Sequence, residues 1–188
     1  MAKETINNFY PTYKLHECAD KDHDTLSFIH FENGYAYASN AHVAVRAKIE
    51  YISTFNEDEV ALLEGKSIGC REFKALLEYE DVRIEEHGFR VNDDRTPLFF
   101  GFNRQQEFKF PDAENIVEQT KAKLGTADGV NATGLNVAYL GKLSKAMGET
   151  TFRFDFNGNG AVLVRAAHNL DAAENITGII MPILVEDE

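Results

Sequence analysis

The feature that most constrains this chain is an order of elements that recurs. An extended segment leads into an amphipathic helix, and short strands joined by tight turns follow. The pattern runs over residues 65–117 and again over 130–185. In the first copy the helix spans about 70–79, with Cys70, Phe73, Leu76 and Leu77 on one face. In the second it spans about 136–147, with Val137, Leu140, Leu143 and Met147 on one face. A helix with one apolar stripe needs a sheet or another helix to cover it. The strands are at hand. Residues 82–91 fold back around His87-Gly88, and 97–102 and 105–110 read as a further pair. Residues 151–156 alternate with period two, turn at Asn157-Gly158-Asn159-Gly160, and return over 161–165. The last strand is read at 178–185.

Residues 9–52 read as a third, degenerate copy. Its strands are 26–31, 35–38 and 42–49, with a tight turn at Glu32-Asn33-Gly34. Its helix is short or missing around Tyr13 to Ala19. The expected fold is α+β, built from repeated β-α-β-β-β units, with antiparallel sheets on the outside and two helices packed on one face. Residues 118–134, with Lys121, Lys123, Gly125, Gly129 and Gly134, are the candidate linker. They divide a two-unit domain, 1–118, from a half domain, 119–188.

Charge and length narrow the function. The 188 residues carry a formal charge of −12, which opposes any generic coating of nucleic acid but allows local basic patches. No apolar run approaches the roughly 18 to 20 residues that span a bilayer. The segment Met1 to Asn8 has no apolar signal core. With Cys18 and Cys70 the only cysteines, no disulfide framework is implied, and a cytoplasmic protein is expected.

Local motifs for chemistry fail on inspection. Asp20, Asp22 and Asp24 open like a calcium loop, but Thr25 stands where Gly is needed and Phe31 where a bidentate Glu belongs. His16 and His23 lack zinc spacing with Cys18. Asp155 to Gly160 opens another such loop, but Ala166 replaces its closing Glu, so a hairpin turn is the reading. Glycines 125 to 134 carry no phosphate-loop signature, and no nucleophile elbow is present. No cofactor or metal is expected.

Two segments stand out instead. One is the strand Ala36 to Arg46; the other is Asn175 to Glu188, an apolar strand that reaches Met181-Pro182 and ends in an acidic tail. Neither holds a nucleophile, base or metal ligand in a usable pattern. The second is either the wall of an apolar groove or a closing core strand.

These residues resemble the bacterial DNA polymerase III β sliding clamp family. Ala38-Ser39-Asn40-Ala41-His42-Val43-Ala44-Val45 is similar to the family's Ala-Thr-Asp-Gly-His-Arg-Leu-Ala. Ile68 to Leu77 resembles the segment that opens a family helix with a Leu-Leu pair. Phe108-Lys109-Phe110-Pro111-Asp112-Ala113 resembles Gly-Lys-Phe-Pro-Asp-Tyr, and Ile180-Met181-Pro182-Ile183-Leu184 resembles Val-Met-Pro-Met-Arg-Leu. There are departures. Val43 and Ala44 replace Arg and Leu, Glu114 and Asn115 replace a basic pair, and there is room for about three units where the family has six.

The resemblance implies a non-catalytic, processivity-factor-like protein that engages double-stranded DNA, clamp-binding peptides of replication proteins, or both. It implies a peptide groove walled by Ser39, Ala41, His42, Val43 and Ala44, by Pro111, Asn115 and Ile116, and by Ile179, Ile180, Met181, Pro182 and Ile183. It also implies a DNA-facing set: Arg71, Lys74, Lys121, Lys123, Lys142 and Lys145. Twelve units in a ring and three per chain give a tetramer. The alternative is a hydrolase using Asp or His on the strand-rich scaffold, and the surroundings of His42 discriminate the two.

Overall fold

The hydrophobic periodicity folds as three successive units, each a helical turn or helix followed by three strands. The computed structural model describes residues 7–92, 97–105, 109–124, 134–156 and 160–183. Unit 1 has a single 3-10 turn, Leu15–Glu17, then β1 (Phe28–Glu32), β2 (Tyr35–Ser39) and β3 (Val43–Lys48). Two short helices, α1 (Ile49–Ile52) and α2 (Glu57–Ala61), lead to unit 2. There β4 (Lys66–Gly69) runs straight into α3 (Cys70–Leu76), and β5 (Val82–Glu85), β6 (Gly88–Val91) and β7 (Leu98–Gly101) follow. A further helix, α4 (Ala113–Ala122), precedes unit 3. Unit 3 is α5 (Val137–Met147), β8 (Phe152–Asp155), β9 (Val162–Ala166), the short α6 (Leu170–Asn175) and β10 (Ile176–Ile180).

All strand pairs among the described residues are antiparallel. One sheet runs β4-β1-β2-β3-β10-β9-β8 and the other β5-β6-β7. The long sheet crosses from unit 1 to unit 3 where β10 pairs with β3, from Ile176 opposite Ala47 to Ile180 opposite Val43. Local chemistry fixes these elements. The β1–β2 turn places Asn33 at φ 52° and Gly34 at φ 77°, the two left-handed positions of a tight hairpin. Asn136 caps α5 by accepting the Ala138 N–H, and Gly148 ends it at φ 67°.

Period-two alternation splits the long sheet into two faces. On one lie Val43, Val45, Ile176, Gly178 and Ile180, covered by α5; a Cβ on Gly178 would sit 2.9 Å from Leu143 Cδ2. This face continues into an aromatic core of Phe9, Phe31, Phe55, Phe73 and Phe89. On the other face Ala44, Leu163 and Ile179 meet Val117 of α4.

The mixed α+β architecture with antiparallel sheets is the one expected, and α3 and α5 do lie on one face. The third substantial helix, α4, is a correction. It forms across the front of the expected linker because Asp112 accepts the Asn115 N–H and so caps the helix. The domain division expected after residue 118 falls within it. No strand pairs with β7 from residues 109–110, and residues 106–108 lie outside the described set. The expected turn residues 157–159, linker residues 125–133 and tail residues 184–188 also lie outside it. The last strand starts two residues early and ends at Ile180, ahead of Pro182. No helix among the described residues is long and apolar enough to cross a membrane.

Candidate functional site

The site is built where β3 begins and β10 ends. Between β2 and β3 the chain turns over Asn40-Ala41-His42, with Ala41 in the left-handed region at φ 70°. Side chains hold that turn. Asn40 Oδ1 accepts the His42 and Val43 N–H groups at 3.1 and 2.9 Å. Ser39 Oγ donates to the Val43 carbonyl and accepts the Ala41 N–H. The strand pairing runs one step past β10, because Met181 N–H donates to the His42 carbonyl at 2.9 Å. Pleating sends Ile179 and Met181 to the α4 face and Ile180 to the core. From α4 come Pro111, just ahead of its cap, and Ile116.

These pieces enclose an apolar groove of about 250 Å³, lined by Leu26, Ser39, Ala41, His42, Val43, Ala44, Pro111, Ile116, Ile179 and Met181. That volume is below the roughly 300–1,000 Å³ of a pocket that engulfs a small molecule, and suits a few side chains of a peptide laid across the surface. Ile116 and Met181 are 44% and 45% exposed, unusual for large apolar groups. The imidazole of His42 stacks on Tyr139 of α5, with centroids 5.2 Å apart and planes at 10°. Among the described residues no carboxylate pairs with His42, and no group of three His, Cys, Asp or Glu could hold a metal ion.

The α4 wall is pinned by charge. Glu114 accepts from Arg46 Nη1 at 2.7 Å and from the Tyr37 hydroxyl at 2.5 Å. Burial and then this carboxylate hold the Tyr37 phenol far above its ordinary range. Arg46 lies over the Tyr35 ring at 4.7 Å and also reaches Glu118 at 3.4 Å.

Four of the expected wall residues lie elsewhere. Ile180 is in the core, because strand alternation turns it away from Ile179 and Met181. Asn115 sits on α4, where its side chain accepts from Gln119 and borders a separate polar depression. Pro182 does not line the groove. Ile183 is exposed beyond it, exchanging main-chain hydrogen bonds with Gly134. Leu26 was missed. It reads as the first residue of a strand, but it belongs to the turn ahead of β1, where its N–H meets His23 Nδ1.

The expected basic surface divides in two. Arg71 and Lys74 on α3 and Lys142 and Lys145 on α5 lie on the core-side helices. Lys121 lies on α4 and Lys123 caps its C-terminus, across the sheet, because the front of this stretch is a helix rather than a linker; Lys121 pairs with Glu118 at 2.8 Å. The core-side helices carry mixed charge: Lys145 meets Glu17 at 3.5 Å, and Glu17 and Glu78 share a shallow depression with Lys14 and Lys74.

No family model and no curated protein matches the sequence. Solved structures do. A DNA polymerase III β subunit from Thermotoga maritima matches with a TM-score of 0.55 at 10% identity, over 96% of this chain and 65% of its own. A sliding clamp from Bartonella birtlesii bound to griselimycin matches with a TM-score of 0.57 at 12% identity, over 98% and 68%. This chain has the sliding-clamp fold. A β clamp from Helicobacter pylori bound to a DNA ligase peptide matches with a TM-score of 0.56 at 12% identity, over 97% and 67%. The chain thus spans about two thirds of the length of each clamp.

Proposed function

We propose that this protein is a non-catalytic, clamp-like binding protein whose groove between β3, β10 and α4 receives short apolar peptides of replication proteins. The observation that carries the reading is the exposed apolar groove itself, with Met181 at its rim. A clamp of the same fold holds a DNA ligase peptide, which supports the ligand class. Apolar burial at roughly 25 cal/mol per Å² is the driving force, and Met181 offers an adaptable wall for varied side chains. Weak, sequence-independent binding of double-stranded DNA on the α3–α5 side completes the role, with Arg71, Lys74, Lys142 and Lys145 facing the phosphates.

Fluorescence anisotropy with a labelled peptide holding a Gln and spaced Leu or Phe residues tests the groove. Binding at about micromolar Kd is expected, near −8 kcal/mol. Met181→Ala should weaken it about tenfold while shifting the melting temperature little, since the side chain is half exposed. Absence of peptide binding by the parent protein removes the reading. DNA binding should fall steeply with salt and vanish in the Lys142→Glu/Lys145→Glu variant.

A further inference from the structure

Two turns border the groove between β3, β10 and α4, and both are tied by the same device. In one, Asn40 Oδ1 accepts the N–H groups two and three residues on, those of His42 and Val43, at 3.1 and 2.9 Å. In the other, His23 Nδ1 accepts the N–H groups two and three residues on, those of Thr25 and Leu26, at 3.2 and 3.3 Å. The Thr25 hydroxyl lies 3.3 Å from the same nitrogen. Each turn delivers residues to the groove lining: His42 and Val43 from the first, Leu26 from the second.

The chain around His23 gives this contact a defined task. Main-chain bonds close the rest of the turn. His23 N–H donates to the Asp20 carbonyl at 3.3 Å, Ser27 N–H to the His23 carbonyl at 3.2 Å, and Asp20 N–H to the Leu26 carbonyl at 2.9 Å. They fix the far side of Leu26 and leave the peptide plane ahead of it to the imidazole. Leu26 is 7% exposed yet stands outside both apolar clusters of the described residues. It is packed as a groove wall, so a tilt of its backbone moves the wall.

The two devices differ in one respect. An amide oxygen accepts at every pH, whereas a ring nitrogen accepts only while it is unprotonated. Histidine is the side chain that changes charge between about pH 5 and 8. A proton on Nδ1 would set a donor against two main-chain donors that cannot turn away. The charged groups beside the ring are those of its own turn: Asp20, Lys21, Asp22 and Asp24. The Asp20 carboxylate accepts the Asp22 N–H, and no carboxylate pairs with the ring among the described residues. Among the residues that line the groove, the other titratable group is His42, stacked on Tyr139.

We propose that His23 is a positioning residue of the groove: its neutral ring holds Leu26 in the wall, and protonation lets that wall go, so the groove grips its apolar peptide at neutral pH and releases it in acid. The inference rests on the peptide reading of the groove given above.

Anisotropy with the same labelled peptide at about pH 7.5 and about pH 5.5, either side of histidine titration, tests this together with two-dimensional 1H–15N NMR of the free protein. The parent should lose about three- to tenfold in affinity at the lower pH, the worth of one or two neutral hydrogen bonds. His23→Asn, which offers the oxygen that Asn40 offers, should bind as the parent does at the upper pH and shed this loss; any share that His42 contributes persists in both. His23→Ala should bind at the upper pH as weakly as the parent does at the lower. In the free parent the Leu26 amide resonance should shift in step with the His23 ring signals, and in His23→Asn it should stay in place. An acid loss as large in His23→Asn as in the parent overturns the proposal, and so does a Leu26 amide that ignores the His23 ring. A parent that binds the peptide equally at both pH values overturns this proposal alone. A parent that binds no peptide at either overturns it together with the peptide reading.

Discussion

Units 2 and 3 share one plan, helix then three antiparallel strands, yet their interiors differ. In unit 2, Phe73, Leu76, Val82, Phe89 and Val91 are fully enclosed. In unit 3, Tyr139, Leu140, Phe152 and Phe154 are only partly covered. The helix sequences do not account for this, since each has its apolar stripe. What differs is the neighbour. Unit 2 receives Phe9, which touches the rings of Phe31, Phe55, Phe73 and Phe89, and unit 3 receives no counterpart among the described residues. A helix and a three-stranded sheet have too little depth to bury their own apolar face, so a second unit must supply the missing wall.

The most direct way to break the comparison is to remove the plug. Phe9 is 1% exposed, so Phe9→Ala should cost about 3–5 kcal/mol, the range for large core aromatics. Phe154→Ala, at a half-covered position in unit 3, should cost clearly less, because solvent already reaches that site and little cavity is left behind. Urea denaturation of both variants at low protein concentration reads the difference. Equal losses would mean that unit 3 is as closed as unit 2.

A smaller effect comes from acid. His16 sits in the 3-10 turn of unit 1, which packs against both α3 and α5, and its Nδ1 has no hydrogen-bond partner among the described residues. Burial lowers its pKa from 6.5 to about 4. Between those values the unfolded chain binds a proton that the folded chain does not. The stability linked to His16 is therefore complete above about pH 6.5 and is lost as pH falls toward 4, by up to about 3 kcal/mol. Asp155 is held low by its two arginines and Glu118 by Lys121, so both also lose stability in acid. The diagnostic is thus the difference between parent and His16→Leu in melts at pH 7 and pH 4.5. A parent no more acid-sensitive than the variant would remove His16 from the seam between the closed and open units.

Much of this arrangement is legible in the chain. The Asn33-Gly34 turn, the stripes of α3 and α5, and the alternation of β8 and β9 are local signals, so their elements stand within a few residues of expectation. Even the degenerate helix of unit 1 is read correctly as short. The α4 helix is not, because the nearby glycines at 125, 129 and 134 outweigh the Pro111-Asp112 start signal and the good helix formers after it. The groove residues come from resemblance, not periodicity. That route brings Ile180 in with Ile179, because a motif carries a run of residues whereas a strand divides them between two faces. Leu26 carries no signal, since its place depends on a fold-back through His23.

The α4 face sharpens the comparison from the other side, because there unit 3 is tied to unit 1 rather than left open. Val117 packs on Leu163 and Ile179, and Glu114 holds Arg46 and Tyr37. Glu114→Ala strips a nearly buried guanidinium of its nearest partner, although Glu118 remains within 3.4 Å. The cost should be about 2 kcal/mol, below the 3–5 of a fully buried pair. Peptide affinity should change with it, since α4 supplies Pro111 and Ile116 to the groove. Thermal melts and anisotropy on this variant report both. A melting temperature unchanged from the parent would show that the apolar contact alone holds α4.

The smallest expected effect is a gain. Ala41 holds φ 70° at the junction of β2 and β3, where units 1 and 3 meet beside the groove. An alanine in the left-handed region carries roughly 1–2 kcal/mol of steric cost that glycine escapes. Glycine in turn gives up more chain entropy on folding, about 0.5–1 kcal/mol. Ala41→Gly should therefore raise stability by about 0.5–1 kcal/mol, provided that the Asn40 and Ser39 hydrogen bonds keep the turn in place. Chemical denaturation resolves a change of this size. The same variant discriminates between two origins of the groove's shape. If the side-chain bonds of Asn40 and Ser39 set it, the relaxed turn keeps its geometry and peptide affinity stays within about twofold of the parent. If Ala41 is held in strain so that the groove stays open, the glycine variant gains stability and loses affinity together, and the turn then belongs to the binding machinery rather than to the fold alone.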